Sequence, residues 1–118
     1  MTKTRVFVYG TLLRGQHNHR YLGLGRFVCE LRTDPYFTMI DLGGYPGLVI
    51  GGHTAITGEL FDVDLITLAR LDLFEEVPEL YRRRQLQLTS TVTAMVYLYP
   101  NERARGNPII ESGDWRQR

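Results

Sequence analysis

TGELFDVDLITLARLDLFEEVPELYRR, residues 57–83, holds the pattern that decides the fold. Its first seven residues set Leu60 between Glu59 and Phe61, the alternation of a β-strand. Asp64 then offers a carboxylate to the free N–H groups of a helix start. Leu65, Leu68, Leu71 and Phe74 recur at the three- to four-residue spacing of one helix face. Val77-Pro78 stops that helix, because the residue before a proline is pushed out of the helical region. From Tyr81 the chain reads as strand again. The stretch predicts one helix over residues 64–74, entered from a strand and left into another.

Outward from it, strands dominate. Near the N-terminus Arg5 and Phe7 alternate with Val6 and Val8, until the run meets Tyr9-Gly10-Thr11-Leu12. Residues 15–25 are polar and glycine-containing, a loop with one helical turn. Extended segments follow at 27–31, at 36–42 (YFTMIDL) after the Asp34-Pro35 turn, and at 48–52 after the break Gly43-Gly44-Tyr45-Pro46-Gly47. Residues 81–88 and 92–99 read as an antiparallel pair joined near 89–91. A polar loop spans 101–108, and 109–115 is a short tail anchored by Trp115. Six or seven strands with a single helix between them do not make the regular alternation of a doubly wound parallel sheet. The pattern predicts one α+β domain over residues 1–118, with a partly closed sheet and a packed helix. Closing the sheet would hide its edges and leave a cavity at its mouth.

Composition narrows the function classes. The chain has 118 residues, 43% hydrophobic and 23% charged, so a packed core is expected. A net charge of +1 builds in no strong pull toward nucleic acid or membrane. Cys29 is the single cysteine, so no internal disulfide can form, which fits a reducing cytoplasm; as a strand residue it reads as a small buried group. No apolar run approaches the ~20 residues of a membrane span. Residues 1–4 lead straight into the first strand, so no signal peptide is expected. A cytoplasmic protein is expected.

Two places could carry chemistry. A glycine just after a strand, at Gly10, lets a ligand approach the backbone, and amides no longer used in a ladder can hold an anion or a developing oxyanion. Thr11 adds a hydroxyl. The same four residues could equally form an ordinary turn. Glu75 lies just past the last apolar helix position, with Leu71, Phe74, Val77 and Leu80 about it. A carboxylate drawn into such surroundings has a raised pKa and can exchange protons near neutrality. On chemistry alone it is as readily a solvated helix-end group paired with Arg82, Arg83 or Arg84, and Glu76 and Glu79 compete for any role. His17, His19 and His53 show no metal-site spacing and read as solvated loop residues. Three successive arginines on a strand point to alternate faces, so they make no basic stripe for RNA.

Together the pieces resemble the γ-glutamylcyclotransferase-like, or AIG2-like, family, in particular its small bacterial and γ-glutamylamine-directed members. The resemblance rests on Val8-Tyr9-Gly10-Thr11-Leu12, "GYPGLV" at 44–49, "GELFDVD" at 58–64, "LDLFEEVPELYRR" at 71–83 and "ESGDWR" at 111–116, in the family's order and across nearly the whole chain. It implies a six-stranded, mostly antiparallel mixed β-barrel with flanking helices and a cavity at one end. It implies that Tyr9, Gly10, Thr11 and Leu12 hold a γ-glutamyl group, that Glu75 is the catalytic acid/base, and that Tyr81 lines the site. The reaction it implies turns a γ-glutamyl amide into 5-oxoproline and a free amine, with a small-molecule γ-glutamyl substrate, no nucleic acid or membrane as partner, and no metal or cofactor; the oligomeric state is not readable from the sequence. Glu76 departs from the family by standing where a glycine is often found. A barrel that binds a small metabolite without turning it over is the alternative.

Overall fold

A computed structural model describes residues 2–118. Its strands are β1 (Thr4–Val8), β2 (Arg26–Arg32), β3 (Phe37–Asp41), β4 (Pro46–Ile50), β5 (Thr57–Val63), β6 (Arg82–Gln87) and β7 (Thr93–Leu98). Helix α1 (Leu65–Phe74) joins β5 to β6, and a single helical turn, α2 (Asn101–Ala104), starts the expected polar loop. Short 3-10 segments lie at His19–Leu22 and Trp115–Gln117.

Five strands form one sheet in the order β2-β5-β1-β7-β6, antiparallel throughout except where β1 runs parallel to β7. β3 and β4 form a separate hairpin. The α+β class stands, but the six-stranded barrel does not: among the described residues there are seven strands in two sheets and no closed barrel. The edges β2 and β6 are joined beyond their ends by one bond, from the Asp34 N–H to the Leu88 carbonyl at 2.9 Å. The reason lies in residues 43–47. Pro46 and Gly47, which look like part of a break, open β4 instead, and the hairpin uses its ladder internally from Phe37↔Ile50 to Asp41↔Pro46. Pro46 has no N–H to offer a further strand. Outside its own hairpin, β4 meets the end of β7 through the Tyr99 N–H on the Leu48 carbonyl.

β1 is central, and Val6, Phe7 and Val8 are all buried, so its two faces are both covered. β5 behaves alike, burying Glu59, Leu60 and Phe61 in succession where alternation predicts one outward face. Cys29 is exposed rather than buried. β2 is an edge strand, and a register shift between Phe27 and Cys29 interrupts its alternation. Arg83 is half-buried against Asp72 while Arg82 and Arg84 are exposed, the alternation expected of that run.

Helix α1 begins as expected, with Asp64 Oδ1 accepting from the Thr67 N–H at 2.8 Å. Leu68 and Leu71 pack inward, whereas Leu65 is 61% exposed and Thr67 takes the buried place beside the cap. Phe74 is half-buried and stacks on Tyr21 with ring centroids 4.2 Å apart. Removing the cap in Asp64→Ala is expected to lower the denaturation midpoint at unchanged m-value.

Candidate active site

A cavity of about 220 Å³ opens where β1, α1 and the β3–β4 hairpin converge. Tyr9, Gly10, Thr11, Leu12, Glu75 and Tyr81 all line it. The fold thus brings together every residue that the sequence singles out for the site.

One wall is the turn that follows β1. The Leu13 N–H donates to the Gly10 carbonyl at 3.1 Å and closes the turn. Asn18 holds it from below: its N–H donates to the Thr11 carbonyl and its Nδ2 to Thr11 Oγ1, each at 3.1 Å. His19 Nδ1 lies 2.9 Å from the Leu12 carbonyl, so this ring is tied to the turn rather than solvated. Among the described residues, the amides of Gly10, Thr11 and Leu12 donate to no protein group, although all three residues are buried. Three unpaired N–H groups in a buried turn suit an anion or an oxyanion. Gly10 itself has a further reason to be glycine. A Cβ there would stand 2.6 Å and 2.7 Å from Cγ and Cδ of Pro46, so the turn and the hairpin pack backbone against ring.

Glu75 forms the second wall. It caps the C-terminal end of α1, its N–H donating to the Leu71 carbonyl at 2.8 Å. Burial pushes its carboxyl up from 4.5 to about 7. The negative end of the helix dipole acts in the same direction. Among the described residues its side chain has no hydrogen-bond or ion-pair partner, because the arginines that could compete for it are placed elsewhere. Arg82 pairs with Glu102 and Arg83 with Asp72, each at 3.0 Å. Glu76 and Glu79 are both exposed. Glu76 has φ 54°, the left-handed region that glycine enters most freely, so the turn after Glu75 is held in the conformation a glycine would favour.

Tyrosines supply the rest. Tyr81, 4% exposed, donates its hydroxyl to the Pro46 carbonyl at 2.7 Å and so ties β6 to the hairpin. The Tyr9 hydroxyl donates to the Tyr97 carbonyl at 2.5 Å and accepts from the Leu48 N–H at 3.3 Å. The Tyr97 hydroxyl donates to Asp72 Oδ1 at 2.8 Å. Burial raises all three phenols above their ordinary range, which keeps them protonated. Asn18, Pro46 and Tyr97 are site residues that the sequence does not announce. The parallel pairing of β1 with β7, Phe7 opposite Val96, carries Tyr97 beside Tyr9, and no local signal reveals a pairing between segments so far apart.

The chain is similar to known proteins. A family model described as gamma-glutamyl cyclotransferase, AIG2-like matches residues 6–117. A Vibrio cholerae protein is 47% identical over 113 residues, covering 96% of each chain. The gamma-glutamylcyclotransferase family protein YtfP of Escherichia coli K12 is 36% identical over 114 residues, 97% of each chain. The crystal structure of an AIG2-like protein from Mus musculus superposes with a TM-score of 0.80 at 34% identity, covering 97% of this chain and 90% of that one.

Proposed function

The chain belongs to the gamma-glutamyl cyclotransferase, AIG2-like family, and on that premise we propose that it converts a γ-glutamyl amide into 5-oxoproline and a free amine, with Glu75 as acid and base. One observation supports this reading above the others. An unpartnered carboxyl with a pKa of about 7 shares a small cavity with three unpaired backbone amides.

The substrate carries both reacting groups. Its α-ammonium has a reference pKa of roughly 8, so little free amine exists at neutral pH. Glu75 as carboxylate takes that proton. The freed α-amine attacks the side-chain carbonyl carbon, forming the ring C–N bond and a tetrahedral oxyanion. The amides of Gly10, Thr11 and Leu12 donate to this oxygen or to the substrate's α-carboxylate. As the intermediate collapses, Glu75 gives its proton to the departing nitrogen and the C–N bond to it breaks; the carboxylate then takes the second proton, from the ring nitrogen, and passes it to the released amine, which leaves as the ammonium. Atoms and charge balance with one substrate and no water. The buried hydroxyls of Tyr9 and Tyr81 keep both walls in place, and holding the flexible chain in its ring-closing shape contributes several kcal/mol, up to about 7–11 in ideal cases. A depressed carboxyl would be a poor base for this step; a carboxyl near 7 serves in both directions.

The test is a panel of γ-glutamyl amino acids and γ-glutamylamines, assayed for 5-oxoproline. Release from at least one, rising with pH as Glu75 ionises around 7, is expected. Binding without release from any of them would leave only a metabolite-binding protein. Thr11→Ala removes one hydroxyl from the lining, and a rise of about two- to tenfold in KM is expected, the worth of one hydrogen bond.

A further inference from the structure

Glu59 is the only acidic or basic side chain among the described residues that the fold buries, at 1% exposure. It is not part of the cavity lining. We propose that Glu59 is the positioning residue of the turn at residues 9–13, acting through Arg14; its catalytic meaning rests on the cyclotransferase reading above.

The geometry makes a clamp. Glu59 on β5 stands opposite Val8, the last residue of β1 before the turn. The chain leaves the sheet there and returns to the same partner at Arg14, whose N–H donates to Glu59 Oε1 at 2.9 Å. The Arg14 Nε donates to Oε2 at 3.1 Å, and Arg116 Nη2 lies 3.5 Å from the same oxygen. Arg116 also donates to the Arg14 carbonyl, so the C-terminal segment braces the far side of the joint. The backbone ladder of β1 with β5 therefore holds the turn at Val8, and the Glu59 side chain fastens its other end at Arg14.

A purely structural explanation is weak. Buried ion pairs can often be replaced by apolar residues with no loss of stability, so stability alone does not call for a charge here. What an apolar residue cannot do is hold a main-chain N–H at a fixed place. The turn needs that, because donors aimed at an oxyanion act only at hydrogen-bond distance from where the charge develops. The clamp also uses the Arg14 amide, leaving those of Gly10, Thr11 and Leu12 to face a ligand.

Glu59→Gln keeps the shape and one acceptor oxygen but removes the charge that faces two guanidinium groups. A fall in kcat of about tenfold is expected, smaller than deleting an oxyanion donor outright. KM should change little, and the acid limb of the pH profile should stay in place, since Glu75 is untouched. Amide exchange at residues 10–14 should quicken while that of β1 and β7 does not. Arg116→Ala reaches the clamp from its exposed partner without altering the buried carboxylate. It should produce the same pattern more weakly and add little to Glu59→Gln. Unchanged kcat together with unchanged exchange in both variants would overturn the proposal. Should the wild-type protein release no 5-oxoproline, the cyclotransferase reading falls by itself. Exchange then decides the clamp: faster exchange at residues 10–14 in Glu59→Gln upholds it, and equal exchange overturns it.

Discussion

Glu75→Gln is expected to fold and to lose 5-oxoproline release by about 10²–10⁴-fold, the usual contribution of a positioned acid/base. It should also be more stable than the wild-type protein above neutral pH. The sign follows from the raised carboxyl, about 7 in the folded chain against 4.5 when exposed. Between those values the folded chain binds a proton that the unfolded chain has released. Wild-type stability at this site is fully present below pH 4.5 and is lost as pH rises through about 7. A difference of that size corresponds to about 3 kcal/mol at most, less to the extent that the half-buried side chain keeps solvent contact. Glutamine carries no charge and escapes the loss. The midpoint difference between variant and wild type should therefore widen from pH 5 to pH 8, while Glu79→Gln, exposed and outside the cavity, leaves both turnover and its pH profile as they are. Wild-type turnover in Glu75→Gln would remove the carboxyl from the mechanism. An unchanged midpoint difference would mean that the side chain is not desolvated.

Local signals explain how much of this was legible beforehand. The cap at Asp64, the inward pair Leu68 and Leu71 and the break at Val77-Pro78 act within one or two turns of chain, so the helix was readable to the residue. Strand β5 was readable at both ends for the same reason. The barrel was not, because closure depends on which edges meet. Pro46 and Gly47 look like punctuation in sequence but are strand residues whose partners are set by the hairpin. The alternation of β1 and β5 does not predict their two covered faces, because burial of a central strand is decided by what covers it. The site divides similarly. Motif and resemblance point to Tyr9–Leu12 and Glu75, whereas composition alone does not choose Glu75 over Glu76 and Glu79. The choice is physical: of the three, Glu75 alone is withdrawn from solvent, at the end of α1, while the nearby arginines pair with Asp72 and Glu102. Glu59 carried no signal, since a charged residue inside a strand normally marks its wet face.

At Gly10 a single methyl group is expected to have the second largest effect. Its φ does not lie in the left-handed region that Gly15, Gly23 and Glu76 occupy, so Gly10→Ala imposes no backbone strain of that kind. The obstacle is Pro46, whose ring carbons would lie 2.6 and 2.7 Å from the new Cβ. A flexible side chain could swing aside, but this ring belongs to a paired strand, with Asp41 opposite and the Tyr81 hydroxyl on its carbonyl. Either the turn moves, carrying the amides of Gly10 to Leu12 away from the oxyanion, or the hairpin moves and breaks the Tyr81 bond. Overpacking of this sort costs about 1–3 kcal/mol, and a misplacement of about 1 Å in the donors can cost about 10²-fold in rate. Gly10→Ala should therefore show a lower denaturation midpoint together with a roughly hundredfold fall in kcat/KM. Pro46→Ala placed in the same chain removes the atoms in the way, so the double variant should be more active than Gly10→Ala alone, a coupling that independent sites would not show. If the two substitutions simply add, Pro46 is not what holds the turn at its distance, and the glycine after β1 must be required by the ligand itself.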